Sequence, residues 1–161
     1  MKPLAVRALI ALGVLLILGA VNTAIVGKER IRRSGETVYL PLEPVDPRSL
    51  MQGDYMALRF ALVRQIEGRA DKASREGQIA WAPVALDERR VARLADPEAS
   101  APLTLRYRIR EGHVWLGTNA FFFEEGSAER FNGARYGEFR VDRDSGEAVL
   151  VGLRNEKLEA M

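Results

Sequence analysis

The side chains that could do chemistry in this sequence are few, and they do not form a familiar catalytic set. His113 is the single histidine among 161 residues, and the chain contains no cysteine. A Ser-His-Asp mechanism would therefore have to use His113, and no G-x-S-x-G turn exposes a serine nucleophile. Since His113 follows a hairpin turn, we interpret it as an exposed strand residue. The supply of zinc or iron–sulfur ligands is too small, so we expect no metal and no cofactor.

Acidic residues gather at two places where a site could form. Asp46, Arg48 and Asp54 flank two predicted turns and could make a polar pocket or a docking edge. Paired Asp and Arg side chains beside a turn more often brace it, and we adopt that structural interpretation. Residues 142–147 resemble the start of a calcium loop, but the glycine is fifth rather than sixth and Leu153 occupies position twelve. That segment predicts a turn between strands.

A membrane-bound hydrolase is one alternative function. Ser49 lies upstream of Gly53 and Asp54, and a serine nucleophile of this kind is paired with a lysine base in signal peptidases. The lysines of the domain are Lys72 and Lys157, and neither belongs to a convincing strand. A hydrolase that uses a carboxylate cluster and a ligand-binding module in a small barrel are two further candidate functions. The lack of a complete catalytic set favours a protein that is not an enzyme.

The positive charge of the chain lies mostly near its N-terminus. Residues 1–33 contain six Lys or Arg and one acid, whereas residues 34–161 contain 18 bases and 21 acids. The mildly acidic domain lacks the electrostatic surface of a nucleic-acid-binding protein, so we expect no nucleic-acid partner. Within the domain, Arg106, Arg108 and Arg110 share one strand face. They could meet acidic headgroups or an acidic partner, although such rows usually lie in solvent beside Asp or Glu.

Residues 8–26 form an uncharged, apolar segment of the length that a helix needs to cross a bilayer. Basic residues flank it on both sides: Lys2, Arg7, Lys28, Arg30, Arg32 and Arg33. A cleaved signal peptide is the competing interpretation. Cleavage after Ala20 or Ala24 would place Leu18 or Asn22 where a small residue is required, so we expect an uncleaved membrane anchor.

The side of the membrane on which the domain lies is poorly determined by charge. Three positive groups, including the terminal amine, precede the apolar segment and four follow it, so the positive-inside rule only slightly favours a cytoplasmic domain. The short basic start and the long apolar run resemble an export signal. We therefore expect residues 1–33 to be the anchor and residues 34–161 to be a periplasmic domain.

Alternating apolar residues and frequent turns predict a mainly β domain. We expect a small antiparallel β-barrel or sandwich-like domain with one or two short helices. An edge strand is predicted over residues 36–45, and a central strand over residues 55–63 with Met56, Leu58, Phe60 and Leu62 facing inward. Further strands are expected over residues 78–86, 103–110, 113–116, 135–142 and 148–153, and Ser127 is expected to cap a short helix that buries Phe131.

One segment resembles a known signature. Residues 53–60 read GDYMALRF, which is similar to the signature of the GDYXXLXY proteins, a bacterial group of membrane-anchored proteins without a characterised function. Phe60 replaces the final tyrosine, so this chain has lost any role of that hydroxyl. The resemblance continues through residues 44–50, 135–141 and 148–153. The candidate motif or docking residues are Asp46, Arg48, Gly53, Asp54, Tyr55, Leu58, Arg135, Tyr136, Gly137 and Glu138.

This resemblance implies a location in the bacterial envelope and association with a polytopic membrane protein, but it implies no activity. Together with the anchor and the missing catalytic set, it predicts an accessory or interaction domain at the inner membrane. The membrane itself, through residues 8–26, and a polytopic membrane protein are the expected partners.

Overall fold

The computed structural model describes residues 3–43, 51–52, 55–69, 76–96 and 103–161. In these ranges a long N-terminal helix is followed by antiparallel sheets and one further α-helix, so the chain after the first helix is mainly β, as predicted. The helices are α1 (Pro3–Ser34) and α2 (Ala61–Arg69), with a 3-10 helix at Ala128–Phe131. The strands are β1 (Glu36–Pro41), β2 (Met51–Gln52), β3 (Tyr55–Ala57), β4 (Ile79–Leu86), β5 (Ala92–Leu94), β6 (Leu103–Arg110), β7 (His113–Trp115), β8 (Ala120–Phe122), β9 (Tyr136–Val141) and β10 (Ala148–Arg154).

Helix α1 contains the apolar segment and continues beyond it. Its portion Val6–Ser34 is long and apolar enough to cross a membrane, and its large apolar side chains up to Val26 are exposed. The hydroxyl of Thr23 donates to the carbonyl oxygen of Gly19 at 2.7 Å, so this polar side chain is satisfied within the helix. Such an apolar surface on a helix requires either lipid or protein around it.

The last turn of α1 packs against the domain with little space. Ile31 is buried, and the Nζ of Lys28 lies 2.6 Å from Oε1 of Glu147. At Gly35, a Cβ atom would lie 2.5 Å from the Ile31 carbonyl oxygen and 3.0 Å from the Val141 nitrogen. Because β1 begins at Glu36, the chain enters the sheet directly from the helix.

Three antiparallel sheets make up the β part of the described chain. Their strand orders are β1-β9-β10, β2-β3-β8 and β5-β4-β6-β7. The first and last are joined where Tyr39 bridges to Val91 and where the Arg106 nitrogen donates to the Gly146 carbonyl oxygen at 2.7 Å. The fully buried strand side chains between the sheets are Val38, Leu40, Val84, Leu105, Phe139 and Val141.

The predicted hairpin over residues 103–116 is confirmed. Strands β6 and β7 pair in antiparallel register, from Arg108 opposite Trp115 to Arg110 opposite His113. The turn residues Glu111 and Gly112 have φ angles of 51° and 75°. Two successive positive φ angles are the geometry of the tight turns that match strand twist, which explains why a glycine is placed there.

The predicted central strand over residues 55–63 is correct only for its first three residues, where β3 is the middle strand of its sheet. Strand β3 ends at Ala57 and α2 begins at Ala61. The expected inward residues Met56, Leu58, Phe60 and Leu62 are nevertheless all buried. Leu62 and Ile66 are the buried residues of α2, and a spacing of four places them on one helix face. A short apolar run fits both the two-residue period of a strand and the 3.6-residue period of a helix. Here the chain changes from strand to helix within the run.

The short helix at Ala128–Phe131 also differs from the prediction, at its N-terminus. Phe131 is buried, as expected, but Ser127 makes no side-chain cap and its hydroxyl instead donates to the Glu124 carbonyl oxygen at 2.6 Å. A single 3-10 turn leaves few free amide groups, so the cap is replaced by a bond that closes the preceding turn.

The substitution Gly35→Ala is expected to destabilise the domain by about 1–3 kcal/mol, because the new methyl group would overlap main-chain atoms that cannot rotate away. Thermal unfolding of the detergent-solubilised protein, followed by tryptophan emission, measures this loss. Gly27→Ala is the matched control, since nothing lies within 4 Å of a Cβ at that position of α1. Equal melting temperatures for the two variants would contradict the tight junction.

Candidate functional site

The structure describes six of the ten candidate residues. Asp46, Arg48, Gly53 and Asp54 lie outside the described residues, as do Ser49 and Lys72 of the hydrolase hypothesis. The predictions for those residues therefore stay predictions. The described candidates are Tyr55, Leu58, Arg135, Tyr136, Gly137 and Glu138, and they lie on β3, just after it, or at the start of β9.

The second half of the motif lies between the end of β1 and the start of β9. The Leu42 nitrogen donates to the Arg135 carbonyl oxygen, and the Glu43 nitrogen donates to the Arg59 carbonyl oxygen, both at 2.8 Å. Leu42 and Phe60 form an isolated antiparallel bridge. These main-chain bonds bring three segments that are far apart in sequence to one crossing point, while the Arg135 side chain remains exposed.

Phe60 and Gly137 form the tightest contact at this crossing. The Phe60 ring is buried and meets the Phe139 ring edge to face, with centroids 5.3 Å apart. A Cβ at position 137 would lie 2.9 Å from Cε1 of Phe60 and 3.0 Å from Cε2 of Phe139. Glycine at 137 thus makes room for the aromatic ring that ends the motif, and Phe60 fills this apolar space without a hydroxyl to satisfy.

Glu138 carries the buried charge of this region. It is the buried charged residue among those that the structure describes, and its Oε2 accepts hydrogen bonds from Nε of Arg154, at 2.7 Å, and from Nη2 of the same side chain. Nη2 of Arg140 lies 3.7 Å from the other carboxylate oxygen. A buried carboxylate held by a two-donor guanidinium is well satisfied, so Glu138 braces β9 against β10.

The first half of the motif leads to an exposed aromatic pair. The rings of Tyr55 on β3 and Phe122 on β8 lie 5.8 Å apart between centroids, and their residues are opposite in register. Phe122 is 73% exposed. Leu58 is buried, and its nitrogen donates to the Asn119 carbonyl oxygen at 2.7 Å. The motif strand therefore shows an aromatic surface outward and packs a leucine inward.

Phe122 was not among the sequence candidates, although a signal for it exists. Phe121 and Phe123 pack on Phe131 with centroid distances of 5.2 and 5.3 Å. Because side chains alternate along a strand, a partly buried pair at 121 and 123 that packs on the core requires the middle ring to face the other way.

The family model of the GDYXXLXY protein matches residues 17–153, a range that includes the signature. The chain belongs to the GDYXXLXY family. No curated protein and no solved structure matches it. The matched range begins inside α1 and ends in β10, so the match covers the second half of the helix together with most of the domain.

A broad groove runs beside the GDYXXLXY motif. Its volume is about 870 Å³, and it is bounded by residues 57–60 on one side and by residues 113–116 on the other. His113 is 81% exposed with its Nδ1 3.4 Å from Oε1 of Glu67, and that carboxylate oxygen also accepts from the Val114 nitrogen at 3.0 Å. The prediction of an exposed His113 is confirmed.

The described part of this GDYXXLXY protein does not gather metal ligands. No group of three or more His, Asp or Glu side chains there is close enough to hold an ion. The predicted turn at residues 142–147 is present as the connection between β9 and β10. Oδ1 of Asp142 accepts from the nitrogen and the hydroxyl of Ser145 at 2.9 and 2.7 Å, and these bonds lower the pKa of Asp142.

We expect Gly137→Ala to lower the free energy of unfolding by about 1–3 kcal/mol, because the methyl group displaces the Phe60 and Phe139 rings. Chemical denaturation of the solubilised protein gives this quantity. Gly152→Ala on the neighbouring strand is the matched control, since a Cβ there meets no atom within 4 Å. If both variants unfold at the denaturant concentration of the parent protein, the contact does not constrain the crossing.

Proposed function

We propose that this GDYXXLXY protein is a non-enzymatic accessory domain that α1 anchors in the bacterial inner membrane, and that it works with a polytopic membrane protein. Residues 8–26 would cross the bilayer and the domain would lie in the periplasm. The observation that carries this proposal is the direct junction between α1 and the sheet. A domain without a flexible linker is held in one orientation at the membrane surface, which suits a partner in the same membrane.

The contacts of the junction support a fixed orientation. Ile31 is buried against the domain, Lys28 pairs with Glu147, and the main chain at Gly35 lies against Val141. Contacts before, within and after the last turn would resist both rotation and tilt of the helix. By contrast, an enzyme acting on soluble substrates needs a tether but gains nothing from a fixed angle to the membrane.

The exposed aromatic pair supports a docking role. A largely exposed phenylalanine is costly in water, and aromatic residues are enriched at the centres of protein interfaces. The Phe122 ring lies on Tyr55 of the family motif. We therefore place the proposed docking surface at the Tyr55–Phe122 pair on the outer side of β3 and β8.

A ligand-binding module is the second candidate, and the groove beside the motif supports it. Its size falls within the range of pockets that hold small molecules. The hydrolase hypothesis stays a prediction, since Ser49 and Lys72 lie outside the described residues.

Photo-crosslinking in membranes tests the docking surface. We expect a benzoylphenylalanine at position 122 to give an adduct heavier than the 17.9 kDa chain, and mass spectrometry should identify in it a protein with several membrane spans. The same probe at position 151 is the control, because Val151 is also exposed on a strand but belongs to another sheet.

Recovery of the protein alone at full yield from position 122 would contradict the interaction role and would favour the ligand-binding module. An adduct that contains two copies of this chain would show self-association in place of a polytopic partner. Equal adducts from positions 151 and 122 would show that the aromatic pair is not the docking surface.

The compartment is tested by fusions at the C-terminus. We expect a C-terminal alkaline phosphatase, which folds after export, to be active, and a C-terminal green fluorescent protein to be dark when exported through the general secretion route. The full chain should also stay with membranes after an alkaline carbonate wash. The reverse pattern of the two reporters would place the domain in the cytoplasm and would contradict the proposed location.

A further inference from the structure

A basic cleft lies beside the end of α1. The cations that line it are Lys28 of α1 and Arg106, Arg108 and Arg110 of β6. Its volume of about 230 Å³ equals that of roughly eight liquid water molecules, which leaves room for a phosphate group. The cleft thus brings together the basic flank of the apolar segment and the arginine row of the domain, two features that are separate in the sequence.

Positive charge in the cleft exceeds negative charge. Glu147 is the acid in the lining, and its Oε1 lies 2.6 Å from Nζ of Lys28 and 3.8 Å from Nη1 of Arg106. Arg108 and Arg110 form no ion pair with a carboxylate in the part of the chain that the structure describes. The Arg110 guanidinium instead lies 5.1 Å from the centroid of the Trp115 ring. Two guanidinium groups therefore remain available for an external anion.

The cross-strand neighbours of Arg106 and Arg108 are apolar, whereas His113 stands opposite Arg110. Trp81 stands opposite Arg106, and Ile79 and Trp115 stand opposite Arg108 from either side. The usual arrangement, in which Asp or Glu lies across from each arginine, is therefore not found on this face. Opposed residues of antiparallel strands share a face, so tryptophan, isoleucine and arginine side chains form one surface on the sheet β5-β4-β6-β7.

Two of these apolar side chains are well exposed. Trp81 is 54% exposed and Ile79 is 40% exposed. Nε1 of Trp81 donates to the Ser145 carbonyl oxygen at 3.0 Å, so the polar edge of the indole is satisfied while its ring faces outward. Tryptophan and arginine together are the residues that proteins place at the level of lipid headgroups.

The position of Lys28 relates this surface to the membrane. It lies two residues after Val26, the last residue of the apolar segment, which is about 3 Å along a helix axis. The headgroup layer on each side of a bilayer is roughly 5–7 Å thick. If residues 8–26 span the bilayer, the cleft opens at the depth of the phosphates. The inference therefore rests on the anchoring part of the proposed function, but it does not depend on a protein partner.

We propose that the outer face of the sheet β5-β4-β6-β7 lies against the membrane surface, and that the basic cleft binds the phosphate of an anionic phospholipid in the leaflet where α1 ends. The planar guanidinium groups of Arg108 and Arg110 donate paired hydrogen bonds to phosphate oxygens. Lys28 and Arg106 add charge from the helix side of the cleft. Trp81 and Ile79 insert beside the headgroup, which explains their exposure.

The two tryptophans of the chain, Trp81 and Trp115, both lie on this surface and report on it directly. The full chain is reconstituted in phosphatidylcholine vesicles that contain a constant share of lipid brominated on the upper acyl chain, with increasing phosphatidylglycerol. We expect quenching of tryptophan emission to increase with phosphatidylglycerol and to be reversed by 1 M salt, because salt screens the headgroup attraction.

The double substitution R108Q/R110Q should raise the phosphatidylglycerol fraction needed for half-maximal quenching by roughly tenfold. R89Q/R130Q is the matched control, since it removes the same charge from exposed side chains outside the cleft, and its response should equal that of the parent. R108K/R110K keeps the charge and should retain most of the response. It also keeps the test valid if the glutamine variant does not fold, as judged by its melting curve.

Several outcomes would overturn the proposal. Quenching that is independent of phosphatidylglycerol would show that the surface does not meet anionic lipid, and an equal loss in R89Q/R130Q would show a general charge effect. Protection of the tryptophans by millimolar inorganic phosphate in pure phosphatidylcholine would assign the cleft to free phosphate. A response to an acidic peptide but not to phosphatidylglycerol would assign it to a protein partner.

A separate flotation assay shows whether α1 anchors the protein in the bilayer. If the protein does not float with phosphatidylcholine vesicles after a carbonate wash, α1 does not span the bilayer, and the proposed function fails together with this inference. If it floats but shows no lipid-dependent quenching, the inference alone fails.

Discussion

Crowding around β9 is the constraint on which the rest of the structure depends. This strand is hydrogen-bonded to β1 on one side and to β10 on the other. The Phe60 ring of the family motif fills the space above Gly137, and the main chain at Gly35 lies against Val141 at the other end of the strand. Since each approach needs a position without a side chain, glycine at 35 and 137 allows helix, motif and sheet to meet at one strand.

The consequence of this crowding is a domain whose surfaces have fixed directions relative to α1. Lys28 is held beside β6 because the end of the helix cannot rotate away from the sheet. The arginine row is thereby completed by a cation from a different element, and the exposed Trp81 lies next to it. The aromatic pair at Phe122 belongs to a separate sheet. The proposed contacts with lipid and with a protein partner therefore use different faces of the domain.

The chemistry of the described residues agrees with this division of roles. Glu138 is buried and already bonded to Arg154, so it stabilises the sheet and has little capacity left for a substrate. His113 is exposed, and its Nδ1 lies 3.4 Å from Oε1 of Glu67. Uncompensated positive charge and exposed aromatic rings are features of binding surfaces, and they are the features that the folded chain adds to the family motif.

The sequence by itself determined the features that depend on neighbouring residues. These are the apolar helix, the alternating strand at residues 103–110, the tight turn after it, and the burial of Met56, Leu58, Phe60 and Leu62. Their periods and turn residues are local properties. The tertiary structure decided that the chain bends after Ala57 and begins a helix, because an apolar run of that length fits both periods. It also decided that the Phe60 ring packs on Gly137 and that Lys28 lies in the same cleft as Arg106. The spacing of residues along a chain does not encode which distant segments pack together.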